Sequence, residues 1–372
     1  MERLQGITFI GLSDILGTGI SALFWFFLAT LILPTEYGNI FYFLSIAGLI
    51  SSVAPLATQN VVTVFSAKNI NIQPTLFFIS IILTGIGSIV AFLLFQRLDI
   101  AILIFGYATF NLASGMMLGM KKIKKYALTN IIQKILTSIL GLSFYFIFGL
   151  DFIIFGLSLT YILHIIIILK EIRINLNQLK EIRVRFRFII FNYANNISGV
   201  FGGQIDKLII ASLFGLSILG NYSLSMQIIV AMMTIPTIIF KYLLTEELYG
   251  IKDREFKKKI IIFCSIISIV GFFLAPEIIP KIFPEYFEAS HAIRIMSLAI
   301  LPVAYTKIQT VRFLSQERGH IIFGGSTIYF IVLLTGMIFL GEQWGISGIA
   351  LSFVLAPTSQ LFTHVILNKK LR

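Results

Sequence analysis

Charge is what this 372-residue chain has least of: Asp, Glu, Lys and Arg together make up 12% of it, against about 25% in an ordinary soluble domain. A soluble fold has to cover its surface with polar side chains, so the two soluble domains that this length would suggest are excluded. Cysteine is nearly missing. Cys264 stands alone, which rules out an intrachain disulfide and a structural zinc cluster. The four histidines, His164, His291, His320 and His364, are far apart and form no ligand motif. There is no Gly-Lys-Ser/Thr and hence no P-loop. Gly17-Thr18-Gly19-Ile20-Ser21-Ala22 imitates a dinucleotide fingerprint but lies inside an apolar run with no strand before it. Zinc-protease, nucleophile-elbow and paired-aspartate glycosyltransferase motifs are also lacking. The expectation is a protein that is not an enzyme and needs no cofactor or metal.

What is present is apolar. AVILMFWYC residues account for 57% of the chain, and the mean hydropathy is +0.94. This composition defines an all-α integral membrane protein, in which each span needs about 20 apolar residues. Apolar runs separated by polar or turn residues predict spans over 7–33, 38–65, 74–95, 99–119, 126–149 and 151–169, then 188–214, 218–245, 260–283, 288–314, 320–340 and 345–367. That is twelve transmembrane helices. The first run is far longer than the ~7–15-residue core of a cleavable signal, so it reads as the first span.

Loop charge predicts the orientation. One alternating set carries Arg3, Lys68, the lysines of 121–125, the 170–187 segment, Lys252 to Lys259, Arg318 and the basic C-terminus. The other carries Glu36, Arg97 with Asp99, Asp151, Glu285, Glu288 and Glu342. Basic loops stay on the cytoplasmic side. Both termini are therefore expected inside the cytoplasmic membrane, and the net charge of +12 needs no nucleic acid to explain it. Residues 170–187 predict a basic amphipathic helix, with Ile172, Leu176, Leu179, Ile182 and Phe186 on one face. It is expected to lie on the cytoplasmic membrane surface; a solvated basic linker is the alternative. It divides the chain into an N-terminal six-helix bundle (1–169), the linker (170–187) and a C-terminal six-helix bundle (188–372).

The halves repeat. With a shift of 182 residues, Asp14 meets Asn196, Gly17 meets Gly199, Ser21 meets Gly203 and Gly38-Asn39 meets Gly220-Asn221, while Pro55 falls one position from Pro236. Duplicated halves related by a pseudo-two-fold axis are a common transporter plan, with the substrate path between them.

Ionisable residues inside spans are costly and mark function by default. Asp14, Lys134, Asp206, Lys207, Glu277 and Lys307 are such residues, with Arg294 and Arg312 nearer the ends of the tenth span. In the seventh span Asn192, Asn195, Asn196, Gly199, Gly202, Gly203 and Asp206 recur at three- and four-residue steps, with Gln204 beside them. On a straight helix they form one polar face, either a hydrated cavity wall or a close-packing seam. Lys134 and Lys307 are expected about 12 Å from the cytoplasmic ends of their helices, as pathway cations or as snorkelling side chains. Asp206 and Lys207, being adjacent, are expected to point in different directions. Pro55 and Pro236 are candidate hinges or static kinks.

The stretch Gln204 to Leu244, with Asp206, then Gly220-Asn221-Tyr222, then Pro236, resembles the seventh and eighth helices of polysaccharide-repeat-unit flippases of the Wzx type. Phe283-Pro284-Glu285-Tyr286 and Gln316-Glu317-Arg318-Gly319 resemble that family's later pattern. The arginine cluster that lipid II flippases carry in their first two helices is missing. The resemblance implies a MATE-like fold of two pseudo-symmetric six-helix bundles. It also implies a flippase carrying a polyprenyl-pyrophosphate-linked oligosaccharide in polysaccharide biosynthesis, with membrane lipids, a polysaccharide polymerase and glycosyltransferases as partners. In that reading the seventh-helix amides meet sugar hydroxyls, and Lys134 and Lys307 meet the pyrophosphate. The alternative within the superfamily is a cation-coupled MATE-type multidrug antiporter, in which Asp14 and Asp206 bind protons or cationic drugs.

Overall fold

The computed structural model describes residues 2–70, 72–173, 176–248, 254–316 and 318–370; some side chains within these helices, that of Asn195 among them, lie outside the described set. Every element is helical, and no strand occurs among the described residues. The α-helices are α1 (Glu2–Ala29), α2 (Pro34–Val53), α3 (Gln59–Ala67), α4 (Gln73–Phe95), α5 (Leu98–Gly119), α6 (Ile123–Phe148), α7 (Ile153–Leu159) and α8 (Ile162–Glu171). They continue as α9 (Leu176–Val184), α10 (Phe186–Val200), α11 (Asp206–Phe214), α12 (Leu216–Leu248), α13 (Arg254–Ile282), α14 (Phe287–Ser297), α15 (Ile300–Ser315) and α16 (Gly319–Lys370).

Eight helical stretches among the described residues are long and apolar enough to cross a membrane, or nine with the bent pair Pro284–Ser297 and Ile300–Leu314. The expected count of twelve is not reached by that measure, for local reasons. The second segment is interrupted between α2 and α3, and the seventh carries a π-turn at Phe201–Ile205. The last two run together in α16, where Gly345 alone leaves helical geometry (φ 55, ψ −134).

The chain forms two compact units, Met1–Phe24 with Ile40–Leu208, and Trp25–Asn39 with Ile209–Arg372. In the first, α3 lies close along α5 because α5 offers glycines. A Cβ added to Gly115 or Gly119 would lie 2.5 Å or 2.4 Å from the carbonyl oxygens of Gln59 and Thr63. Val61, Val62, Phe65, Leu112, Met116 and Ile189 fill the core there. In the second unit Phe240, Leu243, Ile260, Cys264, Ile300 and Ala304 form the core.

The turn between α1 and α2 packs with the second unit, and there the repeat shows its geometry. A Cβ on Gly38 would lie 1.9 Å from the carbonyl oxygen of Leu216, and one on Gly220 would lie 1.8 Å from that of Pro34. Pro34 and Leu216, like Gly38 and Gly220, are 182 residues apart, so α2 and α12 cross through a reciprocal glycine contact. Tyr37 is buried beside it, edge-on to both Trp25 (6.0 Å) and Tyr286 (5.8 Å). The Tyr286 hydroxyl donates to the Ile32 carbonyl at 3.0 Å.

The linker departs from one continuous amphipathic helix. Residues 170–187 divide among the end of α8, α9 and the start of α10. Only part of the apolar face packs: Ile182 is buried, while Leu179 and Phe186 stay exposed. What ties α9 down is polar. Gln178 Oε1 accepts from the Thr75 amide (3.3 Å) and hydroxyl (2.6 Å), satisfying a donor in the first turn of α4.

Candidate functional site

Two polar seams lie in the first unit, one holding Asp14 and Lys134 and the other Asn196 and Gln204. One joins α1 to α6. Asn130 Nδ2 donates to Ser13 Oγ (3.3 Å), which donates on to the Ala127 carbonyl (3.3 Å). Gly17 is buried, and a Cβ there would meet Lys134 Cγ at 3.4 Å, so the lysine stem lies across the first helix. Asp14, one residue beyond Ser13, acts electrostatically on Tyr126 of α6. Because α6 begins at Ile123, Lys134 stands eleven residues from that end, about 16 Å rather than the expected 12 Å. Lys307, in the second unit, is exposed on α15, eight residues from Ser315, or about 12 Å.

The second seam joins α10 to the broken second segment. Pro55 has no N–H and forces the residue before it out of helical geometry. Here α2 stops at Val53, and α3 restarts at Gln59 behind Thr58, whose side chain accepts from the Val61 amide at 3.3 Å. The Ala57 amide within the break donates to Ser80 Oγ at 3.0 Å. Stopping α2 frees its last carbonyls, and α10 answers them. Asn196 Nδ2 donates to the Ser52 carbonyl at 3.2 Å, and the Tyr193 hydroxyl donates to that of Val53. Lower on α2, Gln204 sits on Gly48, where an added Cβ would come within 2.8 Å of its amide. Pro236, the sequence counterpart of Pro55, behaves differently: α12 runs through it unbroken.

The seventh-span face is not one straight stripe. The π-turn at Phe201–Ile205 interposes a wider turn before Asp206. Its outcome is visible in burial: Gly203 is exposed and Asp206 is 2% exposed. Asn192 donates to its own helix at the Phe188 carbonyl (2.9 Å). Asp206 and Lys207 do not point apart as expected. The long lysine stem folds back so that Nζ donates to the Gly203 carbonyl (2.6 Å) and lies 3.7 Å from Asp206 Oδ1.

Three features carried no sequence signal. His164 of α8 is fully buried, its ring edge-on to Phe110 of α5 at 4.9 Å. In the second unit His364 of α16 is fully buried against Phe313 of α15 at 5.4 Å. Each half therefore stacks a histidine of its last segment on a phenylalanine of its fourth, a correspondence that a single sequence does not show because the spacings differ by three residues. The third is a buried ion pair in the second unit, where Lys257 Nζ lies 2.7 Å and 3.0 Å from the Glu247 oxygens.

The fold has known counterparts. The chain is similar to the lipid II flippase MurJ in an inward closed conformation (TM-score 0.67, 14% identity, covering 98% of this chain and 87% of that one). It is also similar to an inward-facing multidrug resistance MATE family transporter of the MOP superfamily (TM-score 0.62, 14% identity, 99% and 98% covered). A third counterpart is a MOP superfamily transporter from Pyrococcus furiosus described by the reverse polarity of its binding pocket (TM-score 0.56, 12% identity, 97% and 93% covered). No family model matches the chain, and no curated protein matches it in sequence. The protein is an all-α integral membrane protein with the fold of these transporters.

Proposed function

We propose that the protein is a flippase that moves a polyprenyl-pyrophosphate-linked oligosaccharide across the cytoplasmic membrane in polysaccharide biosynthesis. Both termini are then cytoplasmic, the bundles 1–169 and 188–372 alternate access to the site, and Pro55 and Pro236 serve as bending points. The observation that carries the reading is the α1–α6 seam. A lysine lies on a buried glycine about 16 Å along its helix, beside the Asn130–Ser13 chain, within a fold shared with a lipid II flippase. A pyrophosphate crossing a low-dielectric region must be accompanied by positive charge, since an isolated ion there is heavily penalised. Lys134 and Lys307 supply it. Asn192, Asn195, Asn196 and Gln204 offer amides to sugar hydroxyls, and Asp14 and Asp206 act in coupling or gating. Membrane lipids are further partners, with polysaccharide polymerase and glycosyltransferases acting on either side of the step.

The test is export of lipid-linked glycan in a deletion strain carrying variants. Removing one cation from a charge-assisted contact costs about 1.5–3 kcal/mol, roughly a ten- to hundredfold loss of occupancy. Lys134→Ala and Lys307→Ala should each lower export without lowering membrane insertion, and Lys→Arg should retain part of it. Normal export in the double alanine variant removes the lysines from the mechanism. The alternative, a cation-coupled multidrug antiporter, draws on the likeness to MATE transporters and on Asp14 and Asp206. It is favoured if Asp14→Asn and Asp206→Asn abolish cationic-drug resistance while glycan export is untouched.

A further inference from the structure

Irregular backbone at membrane depth persists only where it is buried in protein or lines a polar cavity. The break at 54–58 lies about 13 Å from the Ala67 end of the second segment, from the nine residues of α3. Polar side chains stand around it: Asn60, on the first turn of α3, is exposed, and Asn192 and Tyr193 are half-exposed on α10. An amide facing hydrocarbon costs several kcal/mol (about 4–8 by alkane transfer), so this face does not meet lipid tails.

The hydrogen bonds fix which polar atoms look outward. A backbone carbonyl only accepts, so the amide of Asn196 must present its nitrogen to Ser52, and that of Asn192 its nitrogen to Phe188. Each side-chain oxygen is thereby turned away from the helix backbone that it caps. The Tyr193 hydroxyl, donating its proton to Val53, likewise keeps its lone pairs for an incoming donor. These side chains therefore keep acceptors together with the second N–H of each amide and carry no charge, which suits the mixed donors and acceptors of a polyhydroxylated group and supplies no cation for a pyrophosphate.

We infer that the elbow of the second segment, with Asn60, Asn192, Tyr193 and Asn196, is the subsite that holds the sugar portion of the cargo, apart from the lysine that meets its pyrophosphate. This rests on the flippase reading and goes beyond it: the break in α2 and α3, Asn60 and Tyr193 become recognition elements, and the elbow contributes specificity for glycan over bare carrier lipid.

The experiment uses the full chain in a Cys264→Ser background, with Asn60→Cys or Asn192→Cys, two positions that make no contact to another helix through their side chains among the described bonds. Modification by a charged, membrane-impermeant methanethiosulfonate is timed in lipid nanodiscs. It is repeated with a polyprenyl pyrophosphate bearing a short oligosaccharide, and with the same pyrophosphate lipid without sugar. Both cysteines should react, and the glycosylated lipid should slow the reaction at least tenfold while the bare lipid leaves it nearly unchanged. Adding Asn196→Ala should weaken the protection roughly two- to tenfold, as expected for one lost neutral hydrogen bond to the sugar. Unreactive cysteines, or equal protection by both lipids, overturn the assignment. Transport of the glycosylated lipid in sealed vesicles is scored separately. Transport without protection sinks the elbow alone, and protection without transport sinks the flippase reading and leaves the sugar subsite standing.

Discussion

Gly220→Ala tests the reciprocal crossing of α2 and α12. The new Cβ would lie 1.8 Å from the Pro34 carbonyl oxygen, where a carbon–oxygen contact settles near about 3.3 Å. The obstacle is backbone, not the tip of a flexible side chain, so the two segments must part by about 1.5 Å. Parting removes two close Cα–H···O contacts, about 0.5–1 kcal/mol each, and loosens the packing of Tyr37 between Trp25 and Tyr286. Overpacking of this kind costs about 1–3 kcal/mol. Together these give about 2–5 kcal/mol, a drop of roughly 4–20 °C in the melting midpoint at about 2–4 °C per kcal/mol. The midpoint is read in detergent by the loss of the monodisperse peak in size-exclusion chromatography after heating. Gly38→Ala should do the same. The double variant should cost less than the sum, because helices already parted admit the second methyl. Gly19→Ala is the control: nothing lies within 4 Å of its Cβ, and alanine gains up to about 1 kcal/mol of helix propensity. A Gly220→Ala protein as stable as Gly19→Ala would refute the crossing.

Three further outcomes are expected. Lys257→Met strands the Glu247 carboxylate, whose side chain is only 3% exposed, and should destabilise by about 3 kcal/mol; the Glu247→Met/Lys257→Met double variant should recover most of this in the same melting assay, and equal losses in both would refute the pairing. In a Cys264→Ser background, Gly203→Cys should react with an impermeant thiol reagent and Asp206→Cys should not, since the π-turn exposes one and buries the other; similar rates would restore the single straight face. Reporter fusions after Lys125, Arg187 and Lys259 should report the cytoplasm and fusions near Glu36, Glu285 and Glu342 the outside, an outside signal after Arg187 being the result that overturns the orientation.

The membrane class and the helical content were legible in the sequence, because both follow from local composition: 12% charge cannot clothe a soluble surface, and apolar runs of this length satisfy their backbone only as helices. So was the repeat register, since Gly38 and Gly220 are demanded by close backbone approach wherever the two matched segments meet. The interruption of the second span was half visible. Pro55 marked the position, but Pro236 carries the same signal and α12 passes through it, so the break at 54–58 depends on Ser80, Tyr193 and Asn196 satisfying what the break exposes. The π-turn before Asp206 breaks the three-and-four periodicity from which the polar face was read, and hydropathy has no term for it. The burial of His164 and His364, the stem of Lys134 across Gly17 and the docking of Gln178 on α4 were decided by tertiary structure alone. Each joins side chains at least fifty residues apart, and a hydrogen bond or ring contact over that distance leaves no trace in the local pattern of either partner.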